Sequence, residues 1–283
     1  MDKIIVLALD KEVDAIHPGY GFLSENPIFA RKCAEAGIEF IGPTHTMMEQ
    51  MGDKIQSKLV AKSVNVPTIP GVEKPITTDQ EAIDFARVAG YPIILKAAAG
   101  GGGRGMRIVR DEKNLLKEYH SAVSEATKAF GDGTIFIEKY LEEPKHVEVQ
   151  ILGDKHGQVV HLYERDCSIQ RRHQKVIEFT PSLFLSDAQR KEICADAIKL
   201  AKAVHYCSAG TIEFLVDKQG NYYFIEMNPR IQVEHTVTEL VTGIDLVQSQ
   251  ILVAEGYALD SDEINLKSQS DVQVRGYAIQ CRV

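Results

Sequence analysis

Residues 95–109, LKAAAGGGGRGMRIV, put four consecutive glycines between a lysine and an arginine, and what flanks that run decides the fold. Gly100, Gly102 and Gly105 satisfy the spacing G-x-G-x-x-G, but any glycine run produces that match by accident. The segments on either side, "YPIILKA" and "MRIVR", both read as strands. A dinucleotide-binding fold needs a helix directly after the glycines and a P-loop needs Gly-Lys-Ser/Thr, so both readings fail. What survives is a hairpin whose glycine loop folds over phosphates, with Lys96 just ahead of it, much as protein kinases cover ATP; the kinase signatures themselves are missing. Such a loop is expected to close as a lid, with residues 99–105 disordered when no nucleotide is bound.

Outward from the loop, "VDAIHPGYG" and "IEFIGP" read as short strands around a helix in "SENPIFARKCAEAG", with Ser24 as its N-cap and Gly37 as its stop. A helix follows somewhere within residues 46–63, giving an α/β rhythm that the proline-rich "VPTIPGVEKPITTD" breaks. Beyond it, "QEAIDFARVAG" and residues 112–130 predict helices on either side of the glycine hairpin. "TIFIEKYLEEPKHVEVQILGD" gives two strands broken by Pro144, and "VVHLYERDCSIQRRHQKVIEF" continues extended. Ser186 and Gln189 form a capping box for a helix with Ile193, Ala197, Leu200 and Val204 on one face. "GTIEFLVDKQGNYYFIEMN" predicts a hairpin, and "DLVQSQILVAEG" a helix closed by Gly256.

The 283 residues, 44% hydrophobic and 25% charged, suit one large or two modest domains. A net charge of -8 argues against a broad nucleic-acid-binding face and leaves room for a local basic site. No apolar run approaches the roughly 20 residues that span a bilayer, and the first residues hold no signal cleavage site, so no membrane and a cytoplasmic setting are expected. Cys33, Cys167, Cys194, Cys207 and Cys281 contain no C-x-x-C, which predicts reduced, mostly buried thiols rather than a zinc ribbon or a disulfide framework.

Chemistry concentrates in "EMNPRIQVE", residues 226–234. In an extended chain Glu226, Asn228, Arg230, Gln232 and Glu234 share one side, and Met227, Ile231 and Val233 the other. The polar side would run about 26 Å, with Pro229 marking an edge strand or a bend. One such residue is ordinarily a solvated strand face; five together are harder to dismiss. A turn pairing Val216 with Asn221 would set Glu213 on the face of Glu226, and two carboxylates with an amide suit Mg²⁺ bridging nucleotide phosphates. A register slip by one residue would destroy that arrangement. "SIQRRHQKV" adds Gln170, Arg171, Arg172, His173 and Lys175, either an anion site or an exposed basic loop.

Taken together, "GYGFLSEN", "MGDK", "GGGGRGMR", "IEKYLEEPKHVEVQ", "ERDCSIQRRHQKV" and "FIEMNPRIQVEHTVTELVTG" closely resemble the biotin carboxylase unit of biotin-dependent carboxylases, an ATP-grasp ligase. "NPRIQVEHTVTE" and "GIDLVQSQI" are most similar to the pyruvate carboxylase branch; acetyl-CoA and propionyl-CoA relatives usually differ at Pro229 and Thr236. The resemblance implies an α/β (α+β) ATP-grasp fold: a remnant of an N-terminal α/β domain over residues 1–67, a mobile glycine-loop lid over 68–140 and a core over 141–283. The chain is expected to be a fragment lacking both ends of that domain, which bears on the biotin pocket, the dimer interface and independent activity.

The resemblance also assigns roles. Lys54, Lys96, His146 and Gly101, Gly102 and Gly103 would meet ATP phosphates; Glu138, Lys139, Leu141 and Leu215 would surround the nucleotide, with Gln170 and His173 at the ribose. Glu213, Glu226 and Asn228 would hold Mg²⁺ or Mn²⁺. Lys175, Arg230, Gln232 and Val233 would bind bicarbonate, with Glu234 as its base, while Tyr20, Gly21 and Arg282 would meet biotin. Implied partners are a biotinylated carrier domain, a carboxyltransferase domain and further copies of the chain in a homo-oligomer.

Overall fold

The computed structural model describes residues 1–52, 54–72, 74–99, 105–172 and 174–283. They pack as two compact units: residues 1–68, 145–169 and 175–283 form the larger, and residues 69–144 and 170–174 the smaller.

The larger unit begins with α1 (Asp2–Asp10), β1 (Ala15–Ile16), α2 (Pro27–Glu35), β2 (Glu39–Phe40), α3 (His45–Gly52) and α4 (Lys54–Ser63), with β1 and β2 paired in parallel. Phe29, Ala30 and Cys33 bury one face of α2. Its cap is Asn26, whose side chain accepts the N–H of Phe29 at 2.9 Å, and not the expected Ser24, which is buried ahead of the helix. Pro27 at the first helical position explains the shift, since its missing N–H costs nothing there. Helix does occupy the stretch expected within residues 46–63, as α3 and α4 on either side of residue 53, which lies outside the described residues.

The smaller unit consists of α5 (Asp79–Ala89), β3 (Ile93–Ala97), β4 (Met106–Val109), α6 (Glu112–Phe130) and β5 (Ile135–Lys139). Its antiparallel sheet has the order β4-β3-β5, so strands do flank the glycine run. Ile93, Leu95, Ile135 and Ile137 pack against Leu115, Tyr119, Ala122 and Ala126 of α6 and Ala82 and Ala86 of α5. Residues 100–104, where the lid reading falls, lie outside the described residues.

The chain then returns to the larger unit through β6 (Lys145–Gly153), β7 (Val159–Arg171), β8 (Gln174–Thr180), α7 (Asp187–Ala203), β9 (Ser208–Val216), β10 (Tyr222–Asn228), α8 (His235–Thr242), α9 (Leu246–Glu255) and β11 (Ala278–Cys281). Six strands form a sheet of order β10-β9-β6-β7-β8-β11, with β6 and β9 central. The Ser186 capping box starts α7, and Ile193, Ala197, Leu200 and Val204 pack on Val147, Val149, Ile151, Ile212, Phe214 and Val216. The larger of these side chains, Ile193, Leu200 and Phe214 among them, each contribute on the order of 2 kcal/mol by leaving water. Gly256, at φ 102°, closes α9 in the left-handed region. Four cysteines are buried and Cys281 is exposed, all as free thiols.

The expected strand over residues 226–234 ends at Asn228. Pro229 has no N–H for the ladder, and Glu234 already serves as the N-cap residue of α8. β10 is nevertheless an edge strand of the six-stranded sheet, one of the two outcomes Pro229 pointed to.

Candidate functional site

The faces of β6 and β9 divide the labour. Val147, Val149 and Ile151 point to the core, so the alternate residues His146, Glu148 and Gln150 share the other face. On β9 the same alternation leaves Thr211, Glu213 and Leu215 opposite Gln150, Glu148 and His146. The pairing Glu148↔Arg165 extends this row to β7, and Glu226↔Glu213 extends it to β10. Three carboxylates and a guanidinium thus cross four strands in one line.

The hairpin reaches that arrangement by a route the sequence does not show. Val216 pairs with Tyr222 and not with Asn221, the one-residue slip that would put Glu226 on the wrong face. A bulge between Phe224 and Glu226 inserts Ile225 and restores the register, so Glu213 and Glu226 stand directly opposite each other.

Like charges side by side need a cation. Lys175 of β8 supplies it: its ammonium bonds Glu148 Oε2, and lies 2.8 Å from both Glu213 Oε1 and Glu234 Oε1. Burial would lower the Lys175 pKa, but these carboxylates outweigh it and hold the group far above the ordinary lysine range. Burial likewise pushes Glu213 up, and the bonds from His146 Nε2 at 2.7 Å and from Lys175 reverse it to well below the usual carboxylate range. Glu213 Oε1 also accepts from Asn228 Nδ2 at 2.8 Å and Gln232 Nε2 at 3.1 Å. His146 is raised: burial opposes its charge, and Glu213 prevails. Glu234 is lowered, its burial outweighed by Lys175.

The segment after β10 folds back onto this row. Arg230 donates to Asn228 Oδ1 at 3.2 Å and lies 3.1 Å from Glu25. Arg282 bonds Glu234 Oε2 at 2.6 Å and also sits 2.6 Å from Glu178, a fully buried carboxylate, outside hydrogen-bonding alignment. The oxygens of Glu213, Glu226 and Asn228 suit a hard divalent cation. Ligand atoms of His146, Glu148 and Glu213 also lie within 4.8 Å of one another. A site of this composition can seat an anion on Lys175 and Arg230, and can keep a carboxylate ionised beside it.

Residues 53–262 match the model of the carbamoyl-phosphate synthase L chain, ATP binding domain, and residues 1–48 that of the biotin carboxylase N-terminal domain. The chain belongs to the biotin carboxylase family. Over its whole length it is 54% identical to pyruvate carboxylase of Staphylococcus aureus, and over 99% of it 53% identical to human mitochondrial pyruvate carboxylase. It spans 24% of each of those curated relatives. The biotin carboxylase domain of a thermophilic 2-oxoglutarate carboxylase bound to bicarbonate superposes with a TM-score of 0.92 at 51% identity, over 99% of this chain and 60% of that one. The biotin carboxylase of Campylobacter jejuni, solved as a β,γ-ATP complex, gives 0.87 at 52% identity, over 99% and 61%. The fold is therefore ATP-grasp, built on mixed helix and antiparallel sheet.

In this biotin carboxylase domain the structure brings Lys175, Glu213, Gln232, Glu234, Asn228, His146 and Arg282 together, with Arg230 at the margin. Leu215 is half-buried beside His146, Val233 is half-buried, Tyr20 is exposed and Gly21 takes a φ of 83°. In the smaller unit Lys96 pairs with Glu138, Leu141 and Gln170 are half-buried, and Lys139 turns its ammonium to the carbonyls of Gly90 and Tyr91. Gly101, Gly102, Gly103, His173 and the side chain of Lys54 lie outside the described residues.

Sequence reasoning missed Glu148, Arg165 and Glu178 as members of this cluster. "HVEVQ" carries a usable signal, since His146, Glu148 and Gln150 share a face while the alternating valines fill the core. Arg165 offers none, because its partners on β9, α8 and the segment after β10 lie 46 to 73 residues away.

Proposed function

We propose that this chain carries out ATP- and bicarbonate-dependent carboxylation of biotin carried on a separate domain, as the biotin carboxylase part of a pyruvate carboxylase. The observation that carries the reading is one cluster holding Lys175, Gln232 and Glu234, an ammonium, an amide donor and an ionised carboxylate. The solved relatives support the ligand classes: one is a complex with MgADP and bicarbonate, another a complex with bicarbonate.

Bicarbonate seated on Lys175, Arg230, Gln232 and Val233 would have its negative charge met by fixed donors and its hydroxyl beside Glu234. Sharing Lys175 with the incoming anion weakens the stabilisation of the Glu234 carboxylate and makes it a better base. The deprotonated bicarbonate attacks the γ-phosphoryl group of ATP, ADP leaves, and carboxyphosphate forms. Its breakdown yields CO₂ and a phosphate that takes the proton from the biotin ureido nitrogen, while Arg282 balances the enolate-like charge. Glu213 and Glu226 with Asn228 would hold Mg²⁺, which draws charge off the phosphates when bound. In the smaller unit, Lys96 is assigned to the phosphates and Glu138 to the nucleotide; Tyr20 and Gly21 are assigned to biotin. The final acceptor would be pyruvate, reached through a carboxyltransferase domain.

A second reading, an ATP-grasp ligase handing its acyl phosphate to ammonia, has the carbamoyl-phosphate synthase family match in its favour. ADP release by the intact protein separates the two. Bicarbonate-dependent release accelerated by free biotin supports biotin carboxylation; acceleration by ammonia and not by biotin supports the second reading and overturns the first.

A further inference from the structure

Arg165 on β7 has no solvent exposure, and its five N–H groups are all used. Nε donates to Glu148 Oε1 at 2.6 Å. Nη1 donates to Gln150 Oε1 at 2.7 Å and Thr238 Oγ1 at 2.9 Å. Nη2 donates to Thr211 Oγ1 at 3.2 Å and Gln232 Oε1 at 3.1 Å.

A guanidinium has donors and no acceptor, so Gln232 can face it only through its amide oxygen. The amide nitrogen is thereby turned toward Glu213, 3.1 Å away. In the same way Arg165 takes Glu148 Oε1 and leaves Oε2 for Lys175. One buried group decides which end of an amide, and which oxygen of a carboxylate, face the site. Gln232 is therefore presented as a donor, the polarity an anion needs.

We propose that Arg165 is a positioning residue for bicarbonate: by holding the Gln232 oxygen it fixes the amide as a donor, and by holding Glu148 it fixes Lys175 beside it. Arg165 touches no substrate. The inference rests on the bicarbonate reading above and deepens it. A purely structural Arg165 predicts something else: loss of the residue would lower the amount of folded protein and leave the substrate constants of the folded fraction alone.

The test is steady-state kinetics on the intact protein, with KM for bicarbonate, KM for ATP and kcat measured separately. Arg165→Lys keeps the charge but not the fork; it raises KM for bicarbonate about tenfold, the worth of one good hydrogen bond, with KM for ATP within about twofold. Should that variant yield no soluble protein, Thr211→Val carries the test, because it removes only the second acceptor of Nη2 in an isosteric side chain. It raises KM for bicarbonate about threefold, again without moving that for ATP. Constants for bicarbonate and ATP that move together, or a bicarbonate constant that does not move, overturn the inference. Wild-type protein without bicarbonate-dependent ATP cleavage overturns the functional reading itself and this inference with it.

Discussion

An ion pair at the surface of the smaller unit and the cluster around Lys175 in the larger put the same kind of charge in opposite surroundings. In the smaller, Arg107 bridges Glu118 and Glu125 and Arg110 meets Glu142, with side chains of the latter pair 62% and 49% exposed. In the larger, Arg165 and Glu148 are both 0% exposed, and Lys175 is shared by three carboxylates. Water screens the Arg110–Glu142 pair, and such exposed pairs are worth about 0–1 kcal/mol. The set in the larger unit is already desolvated, so removing one member strands its partners and costs about 3–5 kcal/mol. Charge at Arg110 decorates a fold that hydrophobic packing holds together; charge around Lys175 is part of the fold at the site.

Lys175→Met is the most damaging change this contrast predicts. It leaves Glu148, Glu213 and Glu234 without their shared cation and should lower unfolding free energy by about 3–5 kcal/mol in urea titrations, along with activity. A loss below about 1 kcal/mol would break the contrast. Packing, unlike charge, should weigh equally on the two sides: Ile193→Ala and Leu115→Ala each empty a fully buried core position and should each cost about 2–5 kcal/mol in the unit that holds them.

Protonation sharpens the comparison further. Burial holds His161 of the larger unit down at about 4, below its ordinary value. The unfolded chain therefore takes up a proton first as pH falls, and stability is lost from about pH 6.5 down to 4. His161→Phe should flatten that part of the pH–stability curve. His146 works in the opposite sense: its pKa is raised, so the stability it lends through Glu213 is present below its unfolded value and fades as pH rises through the folded one. The smallest effect belongs to the other unit, where Arg110→Ala should change stability by no more than about 1 kcal/mol.

Local signals carried much of the architecture. Strand character on both sides of the glycine run, the Ser186–Gln189 box of α7 and the apolar faces of the helices need only neighbours in sequence. The site was legible as a set of residue types and less so as geometry. Glu213 and Glu226 do meet, but through a slipped turn and a compensating bulge at Ile225 that no spacing announces. Pro229 stopped the strand that was expected to carry Gln232 and Glu234, and those residues reach the site by folding back rather than by alternation. Arg165 could not be read at all, since a buried guanidinium is recognised by five acceptors that only the finished fold assembles.

The central claim is that Glu234, held ionised beside Lys175, is the base for bicarbonate. Glu234→Gln in the intact protein tests it, with Mg·ATP affinity followed by calorimetry and bicarbonate-dependent ADP release followed in parallel. The account predicts nucleotide affinity within about threefold of wild type and bicarbonate-dependent turnover reduced by about 100-fold or more. Turnover that stays bicarbonate-dependent at the wild-type rate would contradict it.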